Sequence, residues 1–350
     1  MADAATISPG DPRWAATLAA APHDFYHLPC YQQLAAQPGE DALGYFYQED
    51  DQALLLPYYR RQVPPVLTDG MVLYDATSPY GYAGPVATRG SDAAFRRRAL
   101  AAFARAMPEL QLVSAFFRLH TLLNDPGDFA GLGELVNHGP SVYIDLTLSE
   151  EQLWAQTRRG HKRDLAVLEQ RGYEIVMNDW GGLDEFLLCY EQSMRRLGAS
   201  AFYFFPRSYF ERLRECLGDR LNLCLVSLHG QIACAGLVTE MDGLCQYHLS
   251  ATAEAHFADH PSKLMLHYLR GWLKARGNRI YHVGGGVGAL RDTLHLFKAG
   301  FSPLSSDFHS WRLVADERQY GQLLASWRAQ AGREPPPGEN FFPQYRAALG

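Results

Sequence analysis

The chain has 350 residues, which predicts two domains at about 100–200 residues each. Hydrophobic residues make up 47% of the sequence, enough for a core in each half, and the net charge of −6 excludes an overall basic, nucleic-acid-binding surface. The six cysteines form no CxxC pair and no metal-ligand spacing, so no metal site is predicted. No signal-peptide pattern is present and no apolar run reaches the ~18 residues of a spanning helix, so we expect a cytoplasmic protein without a membrane span.

Hydrophobic periodicity predicts the elements of the first half. The sequence is expected to form helices over 12–36, a hairpin of Leu43–Gln48 and Ala53–Arg60, a strand Met71–Tyr74, a helix over 91–107, and strands Leu112–Leu119 and Val142–Leu148.

The second half begins with a helix start at Ser149. It is expected to form helices over 150–170 with a break near Gly160, then a strand Tyr173–Met177, helices Leu183–Leu197 and Arg207–Leu217, strands Leu221–Leu228, Ile232–Met241 and Leu244–Ala251, a helix Ser262–Arg276, a strand Arg279–Val283, a helix over 291–299, a strand over 304–313 and a helix Glu317–Ala329. Both halves share an order of hairpin, third strand, long helix and strand, as a duplicated domain would.

The loop Ser78–Pro85 carries two tyrosines, Tyr80 and Tyr82, between glycines and prolines that fix an irregular backbone. An aromatic loop after a strand is a candidate substrate-binding wall, because tyrosine combines an apolar ring with a hydrogen-bonding hydroxyl. For the same reason Tyr247, on a predicted strand, is a candidate substrate-binding residue. The alternative for the loop is that its rings only cover the core.

Two groups of residues near helix starts are candidate anion-binding residues. The first group is Arg159, Lys162 and Arg163, where positive side chains adjoin free helical N–H groups. The second is Ser262 and Lys263, which open a helix and would contact the phosphates of a donor molecule. The alternatives are a solvated basic face for the first group and an ordinary helix cap for the second.

A glycine run, Gly284–Gly286, follows a predicted buried strand and precedes Phe297 and Lys298. Glycines allow close backbone approach and can present N–H groups to a developing oxyanion. Lys298 follows an apolar stretch, so its ammonium is expected to be partly desolvated and to stabilise a tetrahedral intermediate. The alternative is a flexible turn beside a surface lysine. The motif is not a P-loop, because GxxxxGK[ST] does not occur.

The order of these motifs resembles the FemAB and BioF2-like acetyltransferase group, which belongs to the GNAT superfamily. The matching segments are Asp24–Pro29, Ser78–Pro85, Phe117–His120, Leu122–Asn124, Tyr143–Leu146, Arg159–Arg163, Gly284–Gly286 and Phe297–Phe301. They cover most of the chain between residues 24 and 301.

The resemblance implies an α/β (α+β) fold of tandem GNAT-like domains, each a mixed, mostly antiparallel twisted sheet flanked by helices. The expected domains are 1–143, a catalytic domain over 144–335 and a tail over 336–350. It implies transfer of an acyl or aminoacyl group to an amine without a covalent intermediate. By the family pattern Lys298 would stabilise the reacting carbonyl, and the Arg159–Arg163 cluster would hold phosphates of the acceptor or donor. Phe297 is a second candidate catalytic residue, and Tyr247, Gly284 and Gly285 are candidate substrate-binding residues.

The resemblance leaves the donor open between acyl-CoA and aminoacyl-tRNA, with no tightly bound cofactor. The coiled-coil arm of some tRNA-using members and the pyrophosphate loop of ordinary acetyltransferases are both absent from the sequence. The expected acceptor is a small molecule or a peptidoglycan precursor with an amine. The alternatives are an acyl-CoA-dependent N-acetyltransferase of small molecules and a non-catalytic module that binds a sugar or peptide.

Overall fold

The computed structural model describes residues 2–286, 290–338 and 341–349. Its contacts divide the chain into two units, Met1–His138 with Phe308–Gly350, and Gly139–Asp307. The predicted domains 1–143 and 144–335 differ from this grouping, mainly because residues 308–335 belong to the first unit. There Tyr320, Leu323 and Trp327 pack on Val63 and Val113.

Each unit contains a sheet with helices around it, and the strands and helices of the described residues are numbered here in chain order. The strands are β1 (Asp3–Ile7), β2 (Glu40–Glu49), β3 (Gln52–Gln62), β4 (Tyr74–Thr77), β5 (Val86–Ala87), β6 (Leu112–Arg118), β7 (Glu134–Asp145), β8 (Glu174–Met177), β9 (Leu221–Leu228), β10 (Gln231–Met241), β11 (Leu244–Thr252), β12 (Ile280–Gly285) and β13 (Ser305–Val314). The helices are α1 (Pro12–Ala20), α2 (Pro29–Ala35), α3 (Ala93–Ala106), α4 (Glu150–Gln156), α5 (Arg159–Gln170), α6 (Leu183–Arg196), α7 (Arg207–Leu217), α8 (Ser262–Ala275), α9 (Thr293–Lys298) and α10 (Glu317–Ala331).

The sheet of the first unit has the order β1-β2-β3-β4-β6-β13. Its strand pairs are antiparallel except β4 with β6, which are parallel. Helix α3 packs on this sheet through Phe95, Leu100 and Phe103, which share a buried cluster with Phe117 and Trp311.

The sheet of the second unit has the order β7-β12-β11-β10-β9-β8, again antiparallel except for one parallel pair, β11 with β12. Helix α8 covers one face, where Met265 and Leu269 pack with Cys234 and Tyr281. Each unit is thus a mixed, mostly antiparallel sheet flanked by helices, which confirms the predicted fold class.

Helix starts follow the capping residues in the sequence. The carboxylate of Asp92 accepts a hydrogen bond from the N–H of Phe95 at the start of α3. Ser149 and Gln152 form a reciprocal capping box at the start of α4. Such caps satisfy N–H groups that have no partner within the helix.

Three sequence predictions differ from the structure. The strand predicted at Met71–Tyr74 is wrong, because β4 begins at Tyr74 and the side chains of Met71 and Val72 are exposed. The break predicted near Gly160 lies earlier, since α4 ends at Gln156 and Gly160 is inside α5. Strand β7 spans Glu134–Asp145 instead of the predicted Val142–Leu148, and strands β1 and β5 have no counterpart among the predicted elements. Among the described residues, the helices are too short or too polar to cross a bilayer.

Candidate active site

The parallel strands β11 and β12 separate after their first few residues. Pairing covers only Leu244–Gln246 with Ile280–His282, although β11 continues to Thr252 and β12 to Gly285. The separation coincides with a β-bulge in β11. In the pairing of β11 with β10, the register passes from Tyr247 to Leu249 and omits His248. Crevices at the carboxyl ends of parallel strands are common ligand sites in α/β proteins.

Lys298 lies at the end of α9, close to the end of β12. Its side chain is only 8% exposed, and its Nζ donates a hydrogen bond to the carbonyl oxygen of Gly285 at 2.8 Å. Burial lowers the pKa of Lys298 to about 8, and the negative charge of Asp292 partly opposes that shift. The predicted desolvation of this ammonium is therefore present in the structure.

The glycines beside Lys298 have conformations and contacts that a side chain would disturb. Gly284 has a φ of +83°, and a Cβ on it would lie 3.1 Å from the Nζ of Lys298. A Cβ on Gly286 would collide with the carboxylate of Asp292, which caps α9. These positions need glycine for backbone conformation and for close approach.

The start of α5 is bound to the last turn of α9. The Nε2 of His161 donates to the carbonyl oxygen of Phe297 at 2.8 Å, and the N–H of Arg158 donates to the carbonyl oxygen of Gly300 at 2.8 Å. Burial lowers the pKa of His161. The ring of Phe297 packs against the hydrophobic core, so what the structure shows for Phe297 is packing and a backbone contact.

The basic cluster on α5 lies in its first two turns, next to the segment that carries Lys298. Arg159 and Arg163 are exposed, and the ammonium of Lys162 lies 5.1 Å from the ring centre of Trp154. The guanidinium of Arg163 also forms an ion pair with Asp164 at 3.3 Å, so Arg159 and Arg163 are exposed to solvent but the charge of Arg163 is partly balanced within the protein.

Ser262 and Lys263 form the first turn of α8, whose N-cap residue Pro261 offers no side-chain hydrogen bond. The Nζ of Lys263 forms an ion pair with Asp164 on α5 at 2.5 Å, so its charge is neutralised within the protein. The hydrogen bond from Lys263 is the main reason that the pKa of Asp164 is lowered. The structure thus brings Lys263 to α5, and its predicted contact with donor phosphates would require it to leave Asp164.

Tyr247 lies on β11 just beyond the last residue that pairs with β12. Its ring packs against the buried cluster, 6.5 Å from the ring of Tyr281, and burial raises the pKa of its hydroxyl. Tyr80 and Tyr82 belong to the first unit, whereas Lys298 belongs to the second. Both of these loop tyrosines are half-buried.

The motifs that resemble the family in the first half meet in a buried polar cluster, which we call the Asp24 cluster: Asp24, His27 and His120. The Nε2 of His120 donates to the carboxylate of Asp24 at 3.3 Å, and the Nε2 of His27 donates to the carbonyl oxygen of Gly84 at 3.0 Å. All three side chains are fully buried. Burial lowers the pKa of His27 to about 4. Burial acts to raise the pKa of Asp24, but its hydrogen bond with His120 contributes to a net lowering.

Three polar residues that sequence reasoning did not assign come together beside the glycines: Ser141 on β7, His282 on β12 and Gln246 on β11. The hydroxyl of Ser141 lies 2.6 Å from the Nε2 of His282, and the Nδ1 of His282 lies 2.6 Å from the Oε1 of Gln246. Each is 1% exposed. His282 precedes the glycine run, but Ser141 and Gln246 sit inside strand segments whose pairing the sequence does not reveal. Among the described residues, no group of three or more His, Cys, Asp or Glu side chains is arranged to hold a metal ion.

Comparison with known proteins agrees with this geometry. Residues 155–289 match the family described as acetyltransferase (GNAT) domain. Solved structures with a similar fold include FemX (TM-score 0.63, 13% identity, 88% of this chain and 96% of that chain), a tandem GNAT protein from the clavulanic acid biosynthesis pathway (0.51, 13%, 90% and 99%) and L-PGS from Bacillus licheniformis (0.52, 16%, 87% and 92%). Among curated proteins, none matches the chain.

The family match therefore lies within the second unit, and the chain has the fold of the FemAB-like GNAT group. This confirms the resemblance noted in the sequence. At these identities the solved structures show a common fold.

Proposed function

We propose that the chain is an N-acyl- or N-aminoacyltransferase that moves an activated acyl or aminoacyl group to an amine, in cell-envelope or specialised-metabolite biosynthesis. The observation that carries this proposal is the buried ammonium of Lys298, held by the carbonyl oxygen of Gly285 next to the separated ends of β11 and β12. A purely binding module has no need for a desolvated cation at that place.

The chemistry of amide formation fits these groups. An amine attacks a carbonyl carbon, and negative charge develops on the carbonyl oxygen. A fixed donor such as Lys298 is worth about 3–4 kcal/mol at an oxyanion in a water-excluded site. Holding donor and amine together contributes about 7–11 kcal/mol. Because the pKa of Lys298 is about 8, most of the ammonium is charged at neutral pH.

The basic cluster on α5 supports a donor or acceptor with phosphate groups. Arg159, Lys162 and Arg163 lie in the first turns of a helix that is bound to the Lys298 segment through His161. Both acyl-CoA and aminoacyl-tRNA carry phosphates, so the cluster suits either donor. We place Ser262 at the same donor, with Gly284, Gly285 and Tyr247 lining the reacting end; substrate binding by Tyr80 and Tyr82, in the first unit, stays a prediction.

The test is a donor screen followed by one substitution. Acetyl-CoA and alanyl-tRNA are each incubated with a panel of amines that includes peptidoglycan precursors, and products are detected by mass. With the active pair, Lys298→Ala is expected to lower kcat by about 10²–10³-fold.

Lys274→Ala is the matched control, since the ammonium of Lys274 also donates to backbone carbonyl oxygens, those of Leu146 and Leu148. It should keep the kcat of the wild type once the folded fraction is equalised. Equal losses in both variants would remove Lys298 from the mechanism.

Titration with acetyl-CoA separates the alternatives. Micromolar binding, with acetyl transfer to a small amine, would favour the acyl-CoA-dependent N-acetyltransferase. Transfer from neither donor to any amine would favour the non-catalytic binding module.

A further inference from the structure

Ser141, His282 and Gln246 form a row of hydrogen bonds across three neighbouring strands. The strands lie in the order β7, β12, β11, so the row runs from Ser141 through His282 to Gln246. Both hydrogen bonds are 2.6 Å long. We call this row the Ser141 relay.

The partners of His282 fix the positions of its protons. The amide oxygen of Gln246 only accepts hydrogen bonds, so the Nδ1 of His282 carries the proton and donates it. The Nε2 of His282 therefore holds a lone pair, which accepts the hydroxyl proton of Ser141. A hydroxyl that donates to a histidine, with the histidine oriented from its other nitrogen, is the arrangement that activates hydroxyls in enzymes.

The relay and Lys298 border the same pair of glycines. Gly285 is the residue opposite Ser141 in the β7–β12 pair, and its carbonyl oxygen accepts the hydrogen bond of Lys298. His282 is the last residue of β12 that pairs with β11. Gly284 and Gly285 carry no side chains, so bare backbone of β12 adjoins both the relay and the ammonium of Lys298.

The Asp24 cluster shows by contrast what a structural histidine looks like in this chain. The Nδ1 of His120 accepts hydrogen bonds from the backbone N–H groups of Leu122 and Leu123, and its Nε2 faces the carboxylate of Asp24. That lone pair is occupied by backbone donors, which do not pass on a proton. The lone pair of His282 instead meets a hydroxyl, which does.

We propose that the Ser141 relay carries the proton released when the amide forms; this rests on the proposed acyl transfer. The amine nitrogen forms a bond to the carbonyl carbon, and the carbonyl π electrons move to the oxygen, beside Lys298. The extra proton on nitrogen passes to the Oγ of Ser141 as the hydroxyl proton of Ser141 passes to the Nε2 of His282.

An electron pair of the oxyanion then re-forms the carbonyl bond as the bond from the carbonyl carbon to the leaving group breaks, and the electron pair of that broken bond goes to the leaving thiolate or alkoxide. The imidazolium of His282 returns the proton through Ser141 to that leaving group. The enzyme gains and loses no proton overall. Ser141 contacts the reacting atoms, and Gln246 is a positioning residue that holds the tautomer of His282.

The test uses the full chain and the donor–amine pair found in the screen. Ser141→Ala and His282→Ala are each expected to lower kcat by about 10²-fold with KM unchanged, because a proton carrier contributes to the transition state and not to ground-state binding. Imidazole in the buffer should restore turnover to His282→Ala and leave Ser141→Ala unchanged. Ser193→Ala is the matched control, since Ser193 is also buried in the second unit and donates to a backbone carbonyl oxygen.

The outcomes distinguish failure of the Ser141 relay from failure of the proposed acyl transfer. If the wild type transfers and Lys298→Ala is impaired, while Ser141→Ala and His282→Ala keep full kcat, the relay is wrong and the proposed function stands. Acylated Ser141 in the mass spectrum of a quenched reaction would overturn the relay and assign Ser141 a covalent role. Absence of transfer by the wild type with every donor would remove the proposed function and the relay together. Thermal melts of each variant verify that it is folded.

Discussion

Each of the two units contains one parallel strand pair, but the two pairs differ in how far along the strands the pairing extends. In the first unit, β4 stays beside β6 to its end, and the contact continues as the N–H of Ser78 donates to the carbonyl oxygen of Phe116 and the N–H of Arg118 donates to the Oγ of Ser78. In the second unit, β11 leaves β12 after Gln246. Among the described residues, the two strands of the second pair are therefore no longer hydrogen-bonded to each other beyond Gln246 and His282.

The difference extends to the buried polar groups near each pair. The Asp24 cluster is satisfied by backbone and carboxylate partners, whereas Lys298 and the Ser141 relay contain groups able to donate or move a proton. A duplicated fold therefore accommodates a structural centre in one unit and a candidate reactive centre in the other. Two substitutions and one change of pH test whether the two centres have these different roles.

The largest expected effect is on the stability of the first unit. Asp24→Ala removes a fully buried carboxylate and leaves the Nε2 of His120 and the N–H of Phe25 without their acceptor. We expect the free energy of unfolding to fall by about 3–5 kcal/mol, measured by urea titration. A loss below about 1 kcal/mol would show that the cluster is not a structural centre.

The second effect is a loss of stability in acid. The pKa of His27 is about 4 in the folded chain and 6.5 when unperturbed, so the unfolded chain binds more protons between those values. The free energy of unfolding should therefore fall as pH drops from about 6.5 to 4, by about 3 kcal/mol from His27 alone. Urea titrations of the wild type and His27→Gln across this range measure the difference, and parallel curves would contradict the assignment.

The smallest stability effect tests the glycine beside Lys298. Gly284 and Gly277 have φ values of +83° and +84°, so alanine at either position should cost about 1 kcal/mol. A Cβ at Gly277 has open space, whereas at Gly284 it lies 3.1 Å from the Nζ of Lys298. Only Gly284→Ala is expected to lower kcat, by roughly tenfold for a displaced donor. Similar kcat values for the two variants would show that Gly284 has no specific role in catalysis.

Much of the fold could be predicted from local patterns. The hairpin at β2 and β3 follows from alternating apolar residues around a polar turn, and α3 follows from its periodicity and the cap at Asp92. The predicted strand begins three residues before β4, because Met71 and Val72 are apolar yet lie on the surface. Apolarity alone does not tell a strand from an exposed loop.

The candidate site was predictable only in part. Lys298 follows a glycine run, and both features are local, so the sequence pointed to them. Ser141, Gln246 and His282 meet only through the registers of β7, β11 and β12, which depend on pairings between distant segments. The ion pair of Lys263 with Asp164 joins two helices and was hidden for the same reason. Gly288, two residues after the glycine run Gly284–Gly286, lies outside the described residues.

The bonds between α5 and α9 have a mechanical consequence. Arg158 and His161 attach the first turn of α5 to the carbonyl oxygens of Gly300 and Phe297, on either side of Lys298. A shift of α5 toward an anion would therefore displace the ammonium in the same direction. Binding of an anion to the basic cluster on α5 would then be coupled to the position of the Lys298 ammonium. A bound donor would in this way help to align the group that acts on it.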